Sequence, residues 1–518
     1  GYKFFRRWEN TMRPRVSPAG RITSPQEIRD EYLNFKAKYP PKDLPGTWTS
    51  CGLFDYPVPL FPGQLPGNGR LSAVAFHPTN STVIFAGAPA GGLWFTNDGG
   101  NSWINKNTDE LPSLGVSDIL IDYSYPSKII IGTGDRDGHD VPGMGIFVSW
   151  NNGQTWSQMN SGLNDLDVNR LIMHPTNPDI IIAATNDGIY KTTDGCYSWY
   201  RTSGIYNKIF DIVYHPADPQ YVYAMRYGLF FRSDDGGENW TRITSGISTG
   251  SRGAVAVTPA APDNVYVFLV SDSRYKGLYV SENKGVDFTE VIDTAAFRYD
   301  DGNLETQGGY NLDIAVDPDN PDVIYAGMVT LHKTVDRGVN WNRIANAGEI
   351  HADQHVLVFS PHNGHLYIGN DGGLFSTSDG GNTYNILCDG LVISQIYRMD
   401  VSASNPDQLV CGTQDGGSYV TYGGPFYHQT GGDGMHCIID PDNNDNIYSS
   451  SQRGHLYRSL TGGAGGWNFH SITDSINGIE EKGDWITPYL LDHGNSNTMF
   501  VGLKDIYRTT NLTTPDHT

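Results

Sequence analysis

Two stretches of this chain set ligand-type side chains at spacings that could do chemistry. In HADQH, His351, Asp353 and His355 stand at i, i+2 and i+4, so an extended strand would project all three from one face, as a metal site requires. The triplet also opens the apolar run HVLVF, and the corresponding stretches elsewhere supply Asp118, Arg170, Asp211, Asp313 and His436. A mouth lined by polar inner-strand residues is therefore the structural alternative. In GDRDGHD, residues 134–140, Asp135, Asp137 and Asp140 gather around Gly138, oxygen-rich enough for calcium but without the closing bidentate Glu of an EF-hand. A solvated acidic loop is the alternative there. The sequence has no phosphate loop or HExxH.

The elements that must carry these residues are written in a repeat. SDDGGENW at 233–240 returns as TNDGGNSW at 96, SWNNGQTW at 149, TTDGCYSW at 192, SENKGVDF at 281, TVDRGVNW at 334 and TSDGGNTY at 377. In each copy an Asp or Asn (Asp98, Asn151, Asp194, Asp235, Asn283, Asp336, Asp379) can accept from turn amides. A following Gly can take a positive φ, and the closing aromatic offers an apolar face. Packing between neighbouring repeats accounts for those aromatics better than sugar stacking does. Ahead of each copy runs an apolar strand, a turn and a second apolar strand, as in LSAVAFHPTNSTVIFAG from 71. That signature occurs ten times. Units of about 45 residues suit four-stranded propeller blades, which need neighbours to bury both faces.

Composition agrees: 61 Gly, 29 Pro, 12% aromatic and 18% charged residues among 518 favour short strands and tight turns. A formal charge of -22 argues against nucleic acid as a partner. Five cysteines without CxxC spacing indicate neither a zinc knuckle nor a disulfide framework. The longest apolar runs are strand-sized, so no membrane span is expected. The chain begins at Gly1, which fits a mature protein whose signal peptide is gone, and its last repeat stops before the expected aromatic, so a continuation beyond Thr518 is expected.

The repeat resembles the Asp-box, or bacterial neuraminidase repeat, of sialidases, sortilins and related β-propellers. The expected fold is all-β: a lead-in over 1–66 with one short helix in PQEIRDEYLNFKAKYP and a proline-rich linker over 57–66, a seven-bladed ring over 67–393, and the start of a second ring over 394–518. A single ten-bladed sortilin-like ring is the alternative. The phrases HADQH, GNDGGLFSTSDGG, LVISQIYR, GGDGMHCIID and KGDWITPYLLD resemble the large Asp-box proteins that Bacteroidota export through the type IX secretion system. That resemblance implies an extracellular or cell-surface location and the translocon and its shuttle proteins as partners. Asp293-Thr294-Ala295 and Asp474-Ser475-Ile476 resemble the O-glycosylation sites of that phylum.

The repeat length is also similar to that of two-propeller xyloglucanases, in which each ring supplies one catalytic Asp ahead of a Gly-Gly pair. The aligned positions are Pro89 in GAPAGGLW and Gln414 in GTQDGGSY, which can neither donate nor accept a proton usefully, and strand alternation would turn Asp415 to the other face. The expectation is a non-catalytic adhesion or recognition protein for a glycan or protein ligand, with no catalytic residue, no cofactor beyond calcium and no nucleic acid partner. A secreted glycoside hydrolase is the alternative.

Overall fold

The computed structural model describes residues 2–39, 49–59, 65–293, 296–299, 301–345, 348–463 and 469–514. Among them are nine four-stranded sheets and one of three strands, each an antiparallel meander in sequence order. They form ten blades, at 73–105, 116–158, 168–206, 211–242, 252–291, 313–345, 354–386, 396–430, 434–471 and 489–509. The chain is a β-propeller.

The first seven blades close a ring. Each adjacent pair shares one apolar core, and the core joining the seventh blade to the first contains Tyr367, Leu374, Leu391 and Ile393 with Leu71, Ile84, Ala86 and Trp103. A repeated glycine explains how tightly they meet. A Cβ on Gly87 of the first blade would stand 2.7 Å from Val116 Cγ1 of the second, and one on Gly132 of the second would stand 2.6 Å from Val168 Cγ1 of the third. The same contact recurs at the closure, where Gly369 of the seventh blade faces Leu71, with 3.3 Å left for a Cβ. The ring therefore closes at seven, not ten. Blades eight to ten follow as an open group with their own cores, around Val410, Cys437 and Ile447 and around Tyr448, Tyr489 and Val501.

The repeated turn ties each blade to the one before it. Ser233 Oγ donates to Asp235 Oδ1 at 2.7 Å, the amides of Glu238 and Asn239 donate to the same oxygen at 3.0 and 2.9 Å, and the Gly237 amide donates to Ser233 Oγ at 2.9 Å. Asn151 and Asn283 serve equally well, because only a carbonyl-type acceptor is needed: the amides of Thr155 and Asp287 donate to them at 2.9 and 3.2 Å. The closing aromatic then reaches backward. Trp156 Nε1 donates to Lys106 O, Trp199 Nε1 to Met159 O and Tyr384 Oη to Ile344 O, while Trp103 Nε1 donates across the closure to Leu387 O at 2.9 Å. Trp240 is 5% exposed within the core between the third and fourth blades. Trp240→Ala should cost about 3–5 kcal/mol in urea unfolding; a loss below about 1 kcal/mol would show that the indole does not hold that interface.

The lead-in differs from expectation. The helix expected within 25–40 forms as Pro25–Lys38 (α2), with Ser24 and Glu27 completing a capping box. A second helix, Tyr2–Met12 (α1), precedes it. Farther along, Val58 pairs with Tyr427 on the outer strand of the eighth blade and Leu53 packs into that blade's core. Residues 60–64 of the expected linker lie outside the described residues, as do Thr294 and Ala295.

Candidate carboxylate junction

The ring axis is filled by charge arranged in layers. Asp118, Asp211 and Asp313 each use Oδ2 to accept an inner-strand amide of the next blade, from Leu171 at 2.6 Å, Val255 at 2.9 Å and Leu357 at 2.8 Å, while Arg170 bridges Asp211 and Asp313. These residues are ties between blades. Asp400 repeats the tie in the open group, accepting from Ile439 N at 2.8 Å. His436 lies outside this pattern, with its ring beside Tyr489.

Above that layer, the 134–140 loop is neutralised by the protein's own cations. Asp135 accepts from Arg70 at 2.5 Å and from the amides of Asp137, Gly138 and Asp140. Asp137 meets Arg252 at 2.6 Å, Arg136 at 3.3 Å and His355 Nδ1 at 2.8 Å. Burial alone would raise the Asp137 carboxyl, but Arg136 and Arg252 outweigh it and hold it well below the usual range. The oxygens that calcium would need on Asp135 and Asp137 are thus engaged. Asp140 is pushed up to about 7 by burial and by Asp135.

His351, Asp353 and His355 do not share a strand face. The strand begins at Gln354, and Asp353 sits at φ +66°, which breaks the alternation that would align them. His351 turns its Nδ1 to Ala352 O. His355 is fully buried between two carboxylates, with Nε2 3.0 Å from Asp371 Oδ1 opposite the Asp137 contact. Both ring nitrogens are occupied, so His355 acts as an imidazolium rather than a metal ligand. Burial opposes its charge, yet Asp371 and Asp137 prevail and raise it from 6.5 to about 9. Its ion pairs therefore stabilise the fold in full below pH about 6.5, and the benefit disappears as pH climbs through about 9. The contribution is at most about 3 kcal/mol. Urea unfolding at pH 6.5 and 9.5 should show that drop in the natural sequence and a flatter profile in His355→Gln; parallel profiles would refute it.

Instead, Asp353, Asp371 and Asp415 converge, with ligand-type atoms all within 4.8 Å of one another, the only such acidic or histidine group among the described residues. Asp353 and Asp371 come from the seventh blade, and Asp415 from the hairpin turn between 413 and 417 in the eighth. Asp415 has φ +55°, so it lies in a turn and strand alternation does not direct it away. Gln307 Nε2 and Asn311 Nδ2 donate to Asp353, Tyr310 Oη donates to Asp371, and α1 contributes Lys3 at 3.0 Å and Arg7 to Asp415. Arg7, 2% exposed, also meets Asp433 at 2.5 Å. Burial and then Asp371 raise Asp353 to about 7. Burial would raise Asp415 too, but Arg7 and Lys3 hold it well below the usual range. A proton-holding acid and an ionised carboxylate thus stand side by side. Pro89 is buried, and Gln414 accepts from Tyr397 Oη at 3.1 Å. Sequence reasoning placed Asp353 in a metal triplet and turned Asp415 away because it assumed strand alternation where each residue occupies a left-handed turn; the signal that could have joined Asp371 to Asp415 is that both directly precede a Gly-Gly pair.

No family model matches the chain. Over 156 residues it is 26% identical to an oligoxyloglucan-reducing end-specific xyloglucanase of Emericella nidulans, a match covering 28% of this chain and 19% of that protein. A xyloglucanase of Acetivibrio thermocellus is 25% identical over 155 residues, 27% of this chain and 18% of its own length. The aligned stretch is therefore about a fifth of either relative. Among solved structures, an ancestral GH74 enzyme overlays with TM-score 0.64 at 15% identity, covering 89% of this chain and 69% of that one. The GH74 xyloglucanase from Xanthomonas campestris overlays with TM-score 0.56 at 14% identity, covering 90% and 81%. These likenesses show the propeller fold. Among the described residues no helix is long and apolar enough to cross a membrane.

Proposed function

We propose that this protein is a glycoside hydrolase acting on a polysaccharide, with Asp353 as general acid and Asp415 as the ionised partner. The observation that carries the reading is their meeting at one junction: one carboxyl from the closed ring holds a proton near neutral pH, and one from the open group is kept charged. Ligand-type oxygens within 4.8 Å of one another fall at the short spacing, about 5 Å, that suits a pair in which the second carboxylate attacks the sugar carbon directly. The similarity to xyloglucanases supports this choice over the non-catalytic one. Pro89 and Gln414 supply no proton, so the chemistry falls to neighbouring turns. The test is release of reducing ends from xyloglucan and mixed-linkage glucan by the natural sequence and by its Asp353→Asn and Asp415→Asn variants.

A second reading is recognition without turnover of a glycan or surface protein. It is favoured by α1, whose Lys3 and Arg7 already occupy Asp415. Capture of a glycan on an array with no hydrolysis would select it.

We also propose that the chain works as three units, 1–66, 67–393 and 394–518, outside the cell after type IX export, as the resemblance of its motifs implies. Antibody labelling of intact cells should find it at the surface or in the medium; recovery from the cytoplasm alone would reject this.

A further inference from the structure

One cleft runs against the charge of the whole molecule. It lies between α1 and the open group of blades, has a volume of about 480 Å³, and is lined by Arg6, Glu9, Arg13, Arg398, Asp484 and Trp485, among others. Arg6 is committed, to Glu9 at 2.6 Å and to Asp484 at 3.0 Å. Arg13 has no carboxylate within ion-pair distance among the described residues, and Arg398 donates at 2.7 Å only to the main-chain oxygen of Tyr397, which leaves its charge unmet. Two further donors have no acceptor there: Arg6 Nε and the Nε1 of Trp485, a residue only 4% exposed. In a chain of formal charge -22, this is a local excess of cations and N–H donors.

A buried donor without an acceptor costs free energy, so the partner that suits this cleft brings oxygens and negative charge. Planar guanidinium groups match a carboxylate with two parallel bonds. We propose that the cleft binds the carboxylate of a uronate residue in an acidic saccharide; the saccharide part rests on the carbohydrate reading above, the anion on the donors themselves. Arg13 and Arg398 take the carboxylate, and Trp485 Nε1 donates to an oxygen of the same sugar.

The experiment is calorimetric titration of the full chain with a galacturonate trisaccharide, with inorganic phosphate and with a neutral xyloglucan oligosaccharide. The uronate should bind more weakly as salt rises, and Arg13→Gln, Arg398→Gln and Trp485→Phe should each lower its affinity about tenfold or more. Both arginines are exposed, so their substitution should leave the unfolding temperature unchanged. Asp353→Asn should leave uronate binding intact. Failure to bind uronate, binding unaltered in the Arg13→Gln/Arg398→Gln double variant, or binding of phosphate alone would overturn the proposal. Uronate capture without hydrolysis would keep this site while rejecting the hydrolase reading; hydrolysis without uronate capture would do the reverse.

Discussion

Asp415→Asn should reduce the release of reducing ends by about 10²- to 10⁴-fold, and Asp353→Asn by a similar factor, because one removes the attacking carboxylate and the other the general acid while each keeps the side chain's shape. The two variants should differ in pH dependence. In the natural sequence Asp353 titrates at about 7, so activity should decline above that pH as the acid loses its proton. Asn at 353 should abolish this limb rather than move it. Thermal unfolding of both variants is the control, since Asp415 also anchors α1. Full activity in Asp415→Asn with an unchanged fold would end the assignment, and no turnover by the natural sequence on any glucan would leave recognition as the function.

Arg7→Ala should lower stability by about 3–5 kcal/mol, although Arg7 belongs to a short helix outside both groups of blades. Its guanidinium is buried between Asp415 and Asp433, and deletion leaves the buried Asp433 without its ion-pair partner and Asp415 with Lys3 alone. Burial already raises Asp433 in spite of Arg7, which shows how poorly that pocket tolerates negative charge. Adding Asp433→Asn to Arg7→Ala should recover part of the loss. A change below about 1 kcal/mol in urea unfolding would mean that α1 is not seated as described.

The blades were legible because their turns are made locally: a hydroxyl, an Asx oxygen and a glycine within five residues determine the hairpin, and even Cys196, in a glycine's place, keeps φ +85°. The closure was less legible. Gly369 facing Leu71 looks in sequence like any other glycine in a strand, and its partner is some 300 residues away. Helix α1 escaped notice because its first turn carries no acidic residue and its length is marginal; it is held by carboxylates near 415 and 433. The junction was obscured for a similar reason: alternation is a sound rule inside strands, and Asp353 and Asp415 are outside them.

The pairing of Val58 with the eighth blade has a consequence for how the protein is made. Residues 49–59 leave the ribosome before any part of the first ring, yet their partners at Phe426 and His428 emerge only after all seven of its blades. The ring can close while that segment, with Leu53 uncovered, still waits for its neighbour. A nascent chain stopped short of residue 430 would carry an unpaired edge and an exposed leucine on an otherwise finished ring, a ready target for chaperones or for another copy of itself.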